Sequence, residues 1–139
     1  MTSLLFGRKK VTRIAGLPPK IDKLDFGGLK LTQIPDLSAV KTLAALKLSD
    51  NAIQVLDTSK LPKQLKELDI LNNGVTEIPD MSGFVEMTSL SFDKKMIVKV
   101  AGLPPKITSQ DFSGLGIQQI PDFSAAKTLV SLNLSGNAI

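Results

Sequence analysis

Apolar residues recur along this chain at positions 1, 4, 6, 11 and 14 of units that begin at Met1, Ile21, Leu43, Leu65, Met87, Ile107 and Leu129. Position 4 reads Leu4, Leu24, Leu46, Leu68, Leu90, Gln110, Leu132, and position 6 reads Phe6, Phe26, Leu48, Ile70, Phe92, Phe112, Leu134. Both are flanked by mostly polar positions 3, 5 and 7, which is the period-2 pattern of a short half-buried strand. Each unit then passes into a segment punctuated by proline (Pro18-Pro19, Pro35, Pro62, Pro79, Pro104-Pro105, Pro121), which predicts extended or turn backbone instead of a long helix. One such strand buries too little to offset the entropy of ordering its unit, so neighbouring units must stack and share a core. Parallel strands about 4.8 Å apart are the expected result. A longer period lies over the short one: residues 1–20 return as 87–106, and 43–53 return as 129–139.

The spacing L-x-x-L-x-L-x-x-N-x-L resembles the leucine-rich repeat family over the whole chain. The asparagine stands at position 9 in Asn51, Asn73 and Asn137, and is replaced by Lys9, Leu29, Lys95 and Leu115 elsewhere. Units 1 and 5 end in A-G-L-P-P-K and unit 3 carries L-P-K-Q, similar to the L-P-x-x repeats of bacterial leucine-rich effectors, whereas even units carry I-P-D-[LMF]-S. The resemblance implies an α/β-type repeat solenoid. Its chain would run as a right-handed coil, with a parallel β-sheet on the concave face and irregular or 3₁₀ turns on the convex face. A single array is expected over 1–139, with no linker and no evident caps. The resemblance also gives Asn51, Asn73 and Asn137 a structural role, their amides satisfying backbone groups at the turn after the strand.

In this family ligands usually meet the concave strand face, here positions 3, 5, 7 and 8. Asp25, Lys47, Asp69, Asp93, Asp111 and Asn133 are the candidate binding residues on it. Asp25, Lys47 and Asp69 alternate in sign on adjacent strands, which favours cross-strand pairing. The face lacks aromatic anchors, so it is a poor match to the Trp, Tyr and Arg hot spots of tight interfaces. Gln110, the one polar residue among the apolar positions, predicts an irregular or internally hydrogen-bonded strand. On the return side, positions 17 and 20 of the even units (Leu37/Val40, Met81/Phe84, Phe123/Ala126) exchange bulk, as residues filling one pocket would.

Composition narrows the chemistry. With 42% hydrophobic and 22% charged residues the chain can build a core. It contains no Cys, His, Trp or Tyr, which excludes disulfide frameworks, His- or Cys-ligated metals and Cys- or His-dependent nucleophilic catalysis. Asp25 and Asp69 fall two strands apart with Lys47 between them, so paired-carboxylate chemistry has no support either. No enzyme activity and no cofactor are expected, and no apolar run is long enough for a membrane span. The net charge of +4 concentrates in residues 1–20 and 87–106. Arg8, Lys9, Lys10 and Arg13, echoed by Lys94, Lys95 and Lys99, place a basic patch on the turn after the strand. No aromatic residue interleaves it, so a solvated edge is expected and nucleic-acid binding is not.

The absence of cysteine and of a secretory-type leader favours a cytoplasmic setting, unless the chain is part of a secreted parent. Taken together, the pattern predicts a non-catalytic protein-interaction or scaffold module from a longer leucine-rich-repeat protein, with a protein partner. The alternative is a structural element whose uncapped terminal repeats self-associate head to tail.

Overall fold

A computed structural model describes residues 3–5 (backbone only), 17 and 20–139. Seven short strands fall at positions 3 to 5 of the seven units: β1 (Ser3–Leu5), β2 (Lys23–Asp25), β3 (Ala45–Lys47), β4 (Glu67–Asp69), β6 (Ser89–Ser91), β8 (Ser109–Asp111) and β9 (Ser131–Asn133). Two further strands, β5 (Glu77–Asp80) and β7 (Lys99–Gly102), lie in the return segments of units four and five. All pairings are parallel and in register by unit, so that Leu24 faces Leu46, Leu46 faces Leu68 and Leu68 faces Leu90. The coil is a β-solenoid of leucine-rich-repeat type, and no α-helix occurs among the described residues.

Strand-side residues and return-side residues meet in one core. Leu24, Phe26, Leu46, Leu48, Leu68 and Ile70 enter from the strands, and Ile34, Leu56, Ile78 and Val100 from the opposite side. Phe92, Phe112 and Phe123 continue it as a stack, with ring centroids 5.6 and 5.9 Å apart. Each fully buried apolar side chain of this size contributes about 1.5–3 kcal/mol by leaving water.

The structure corrects the sequence reading in three places. The strand-side sheet is not continuous: it runs β1-β2-β3-β4-β6 and stops, and β8 pairs only with β9. The return side is more ordered than expected. It holds one 3₁₀ turn (Thr58–Lys60) but also the β5·β7 ladder, in which Pro79 is accommodated because it sits between the paired residues Ile78 and Asp80. Finally, the apolar register fails toward the last units. Ile120 and Ile139 are exposed, and Leu129, Leu132 and Leu134 are only half-buried against the core.

The turn after each strand explains much of this. Position 8 takes a left-handed backbone conformation at Gly28, Asp50, Asn72, Gly114 and Gly136, with φ between 52° and 70°. Glycine, asparagine and aspartate tolerate that conformation best. Unit five has Lys94 there, and its turn closes instead by a local bond from the Met96 N–H to the Asp93 carbonyl, 3.2 Å. With the turn recast, the next strand loses its partner edge.

Candidate interaction face

The first sheet presents two rows of exposed or half-exposed side chains. Position 3 supplies Lys23, Ala45, Glu67 and Ser89, and position 5 supplies Asp25, Lys47, Asp69 and Ser91. They line a shallow depression of about 410 Å³ along the strands, with Ala45 leaving the recess between Lys23 and Glu67. Glu67 and Lys23 are absent from the position-5 candidates. Reading position 3 by the same period-2 rule would have found them.

The candidate acids do structural work as well. Asp25, Asp69 and Asp111 each accept a hydrogen bond from the backbone N–H two residues on, at 2.8, 2.9 and 2.9 Å (Gly27, Leu71, Ser113). Asn133 does the same for Ser135, at 3.0 Å. This local carboxylate or amide turn ends the strand and starts the bend. Asp93 accepts from the Asn72 N–H at 2.5 Å, joining unit four to unit five.

The alternating charge row is half made. The Lys47 Nζ lies 3.5 Å from Asp25, but no ion pair to Asp69 forms. Asp69 and Glu67 therefore sit together as acidic groups beside the hydroxyl-bearing Ser89 and Ser91.

Two of the three described residues of the basic patch lie beside carboxylates. Lys94 pairs with Asp111 across the unit five–six junction, and Lys99 lies 3.8 Å from Glu77 across the β5·β7 ladder. The hydrogen bond from Lys94, aided by Ser113, holds the Asp111 carboxyl down at about 2. Lys95 is exposed. Arg8, Lys9, Lys10 and Arg13 lie outside the described residues.

The three asparagines each bridge two units. The Asn51 Oδ1 accepts from the N–H groups of Leu29 and Leu31, 3.1 and 2.9 Å, while its Nδ2 donates to the carbonyls of Phe26, Leu48 and Ser49, 2.9, 2.8 and 3.2 Å. Asn137 repeats this for Leu115, Ile117, Phe112 and Leu134. Asn73 serves Ile53, Leu48, Ile70 and Leu71. Each amide therefore serves the backbone of the unit before it as well as its own. That is why the leucine-bearing units two and six can do without one of their own: Asn51 and Asn137 follow them.

A second Asp series lies on the return side. Asp36, Asp57, Asp80 and Asp122 each accept from the N–H of a serine two residues on. Those serine hydrogen bonds hold the four carboxyls below their ordinary range. Among the described residues no group of three or more acidic, His or Cys side chains could hold a metal ion. No helix there is long and apolar enough to cross a membrane.

No protein-family model matches the chain, and no curated protein matches it. The chain is similar in structure to the functional domain of InlJ from Listeria monocytogenes, with a TM-score of 0.63 and 24% identity over 90% of its length. It spans 28% of that chain. The likeness is one of fold. The InlJ domain is described as including a cysteine ladder, a feature this cysteine-free chain cannot share.

Proposed function

We propose that this chain is a non-catalytic interaction module, part of a longer leucine-rich-repeat protein, which meets a protein partner on the strand face of β2, β3, β4 and β6. The observation that carries this reading is the face itself. Four parallel strands in exact register hold Lys23, Asp25, Lys47, Glu67 and Asp69 in fixed rows over a rigid apolar core. The ladder fixes the backbone beneath these side chains, so only their own rotamers remain to be ordered on binding, which lowers the entropic cost of recognition. The fold likeness to the InlJ functional domain is in keeping with a recognition role. A fold of this kind, with its carboxylates engaged in turns and ion pairs, also favours binding over catalysis.

The test compares capture of partners from an extract of the producing cells by the wild-type chain, a Lys47→Glu/Asp69→Lys variant and a return-side Gln54→Lys control. The expected result is a set of captured proteins that the control retains and the strand-face variant loses by ten-fold or more. Capture insensitive to the strand-face change refutes the reading.

A further inference from the structure

The junction between units five and six differs from every other described junction. Elsewhere among the described residues, backbone bonds cross between neighbouring units: the N–H groups of Lys66 and Glu67 donate to Ala44, that of Leu48 to Asp69, that of Ile70 to Ser91 and that of Phe112 to Asn133. None joins β6 to β8. Three sequence features coincide there. Gln110 stands opposite Leu90 in the spine, half-buried and without a protein hydrogen-bond partner, so the strand gains little by closing. The left-handed turn is absent at Lys94. Leu115 stands where an amide would serve the Phe92 carbonyl and the N–H groups of Lys95 and Ile97, as Asn51 serves Phe26, Leu29 and Leu31.

On the return side the same junction is open. A cleft of about 650 Å³ separates Val98, Lys99 and Val100 of the β7 side from Gln118, Ile120 and Pro121. The chain supplies its own comparison. The tetrapeptide Gln-Ile-Pro-Asp occurs at 33–36 and again at 119–122, yet Ile34 is 5% exposed and Ile120 is 63% exposed. Identical local sequence therefore ends buried in one unit and exposed in another: the return segment with Leu56 follows Ile34, no such segment follows Ile120, and on its other side Ile120 borders the cleft toward β7. The apolar core still runs through the junction, from Ile97, Val100 and Leu103 to Ile107, Leu115 and Ile117, and the Phe92–Phe112 stack, the Lys94–Asp111 pair and the Thr128 hydroxyl, which donates to the Pro105 carbonyl at 2.7 Å, add to it.

We propose that this junction is a hinge, and that residues 118–121 form a strap that docks against β7, burying the β7-facing side of Ile120 and extending the β5·β7 ladder by one strand. Packed interfaces of this kind switch between discrete arrangements instead of deforming smoothly. Closure would swing β8 and β9 relative to the first sheet, so it sets the spacing between Asp69 and Ser91 on one block and Asp111 and Asn133 on the other. The strand face would thus have two curvatures, and a partner spanning both blocks selects one of them.

The absence of native cysteine permits a direct test. In the closed register Lys99 and Gln119 become neighbours, just as Glu77 and Lys99 are neighbours in the β5·β7 ladder. Adjacent strands bring such pairs within disulfide reach. The exposed-site variant Lys99→Cys/Gln119→Cys is oxidised by glutathione disulfide, which takes up the two electrons, alongside the reference Glu77→Cys/Lys99→Cys. The expected outcome is an intramolecular cross-link that goes to completion at least about ten-fold more slowly than the reference, as a minor closed state requires. Adding Leu115→Asn, which supplies the missing amide, should speed it. A rate equal to the reference shows a junction already closed. No cross-link by the time the reference is complete shows one fixed open. Either result, or a rate that Leu115→Asn leaves unchanged, overturns the proposal.

Discussion

Replacing Asn51 by leucine removes one side chain and disturbs two units at once. Its amide makes five contacts within 3.2 Å, accepting from Leu29 and Leu31 and donating to Phe26, Leu48 and Ser49. All five are part-buried, so water reaches the released groups only in part. Each backbone group left unpaired costs about 1–3 kcal/mol, with partial solvation favouring the low end. The Leu48 and Ser49 carbonyls keep other donors, the Asn73 amide and the Gly28 N–H. Three such groups toward the low end, less about 1 kcal/mol for added apolar burial, give a net loss of about 2–4 kcal/mol. That is a large share of the 5–15 kcal/mol typical of a domain.

The assay is equilibrium urea unfolding followed by circular dichroism, with hydrogen exchange read at the Leu29 and Leu31 amides. The expected result is a lower midpoint at unchanged slope and faster exchange at those two amides, 22 and 20 residues before the mutation. Asn51→Asp sharpens the reasoning. It keeps both acceptor bonds but sets a carboxylate against the carbonyls that the amide now donates to, so its folded pKa rises and its destabilisation should lessen as pH falls and the protonated carboxyl regains a donor. A loss below about 0.5 kcal/mol for Asn51→Leu, with Leu29 and Leu31 still protected, would refute the bridging account.

Two further outcomes follow from the same structure. Gln110→Leu should raise stability by about 1 kcal/mol in thermal or urea unfolding, since a half-buried amide without a protein partner is replaced by an apolar side chain in an apolar row; a marked loss would show that the amide's polar contacts are required. Asp36, Asp57, Asp80, Asp111 and Asp122 all sit below the ordinary 3.8 when folded, through hydrogen bonds to serine or lysine. Their stabilisation is therefore complete above about pH 4 and lost as pH falls through their folded values, for Asp111 toward about 2. Melting temperatures measured across that window should decline, and Lys94→Ala should return the Asp111 titration toward its ordinary position in a carboxyl-resolved NMR experiment. An Asp111 that titrates normally in the wild type would remove the Lys94 pairing.

The period-2 alternation at positions 3 to 7 and the recurrence of leucine determine, without reference to any neighbour, where the seven strand-side strands lie. An apolar residue two places from the next can satisfy water and core together only as a strand. Composition likewise settles which chemistries are impossible, because a side chain that is absent cannot act. Position 8 carries Gly, Asp or Asn in five units, a signal for the left-handed turn that only the structure brought out.

What the linear pattern does not carry is which units pair. Asn51 looks like a residue of its own unit, yet three of its five hydrogen bonds belong to the unit before. Lys94 and Asp111 come from different rows, a basic turn and an acidic face, and meet only because the units stack. Ile34 and Ile120 share the same tetrapeptide and end on opposite sides of the solvent boundary. Local sequence fixes a conformational preference, but burial is a property of two surfaces in contact. Where the ladder, the amide and the left-handed turn are all missing at one junction, the contact is decided by the assembled array and by nothing within the segment itself.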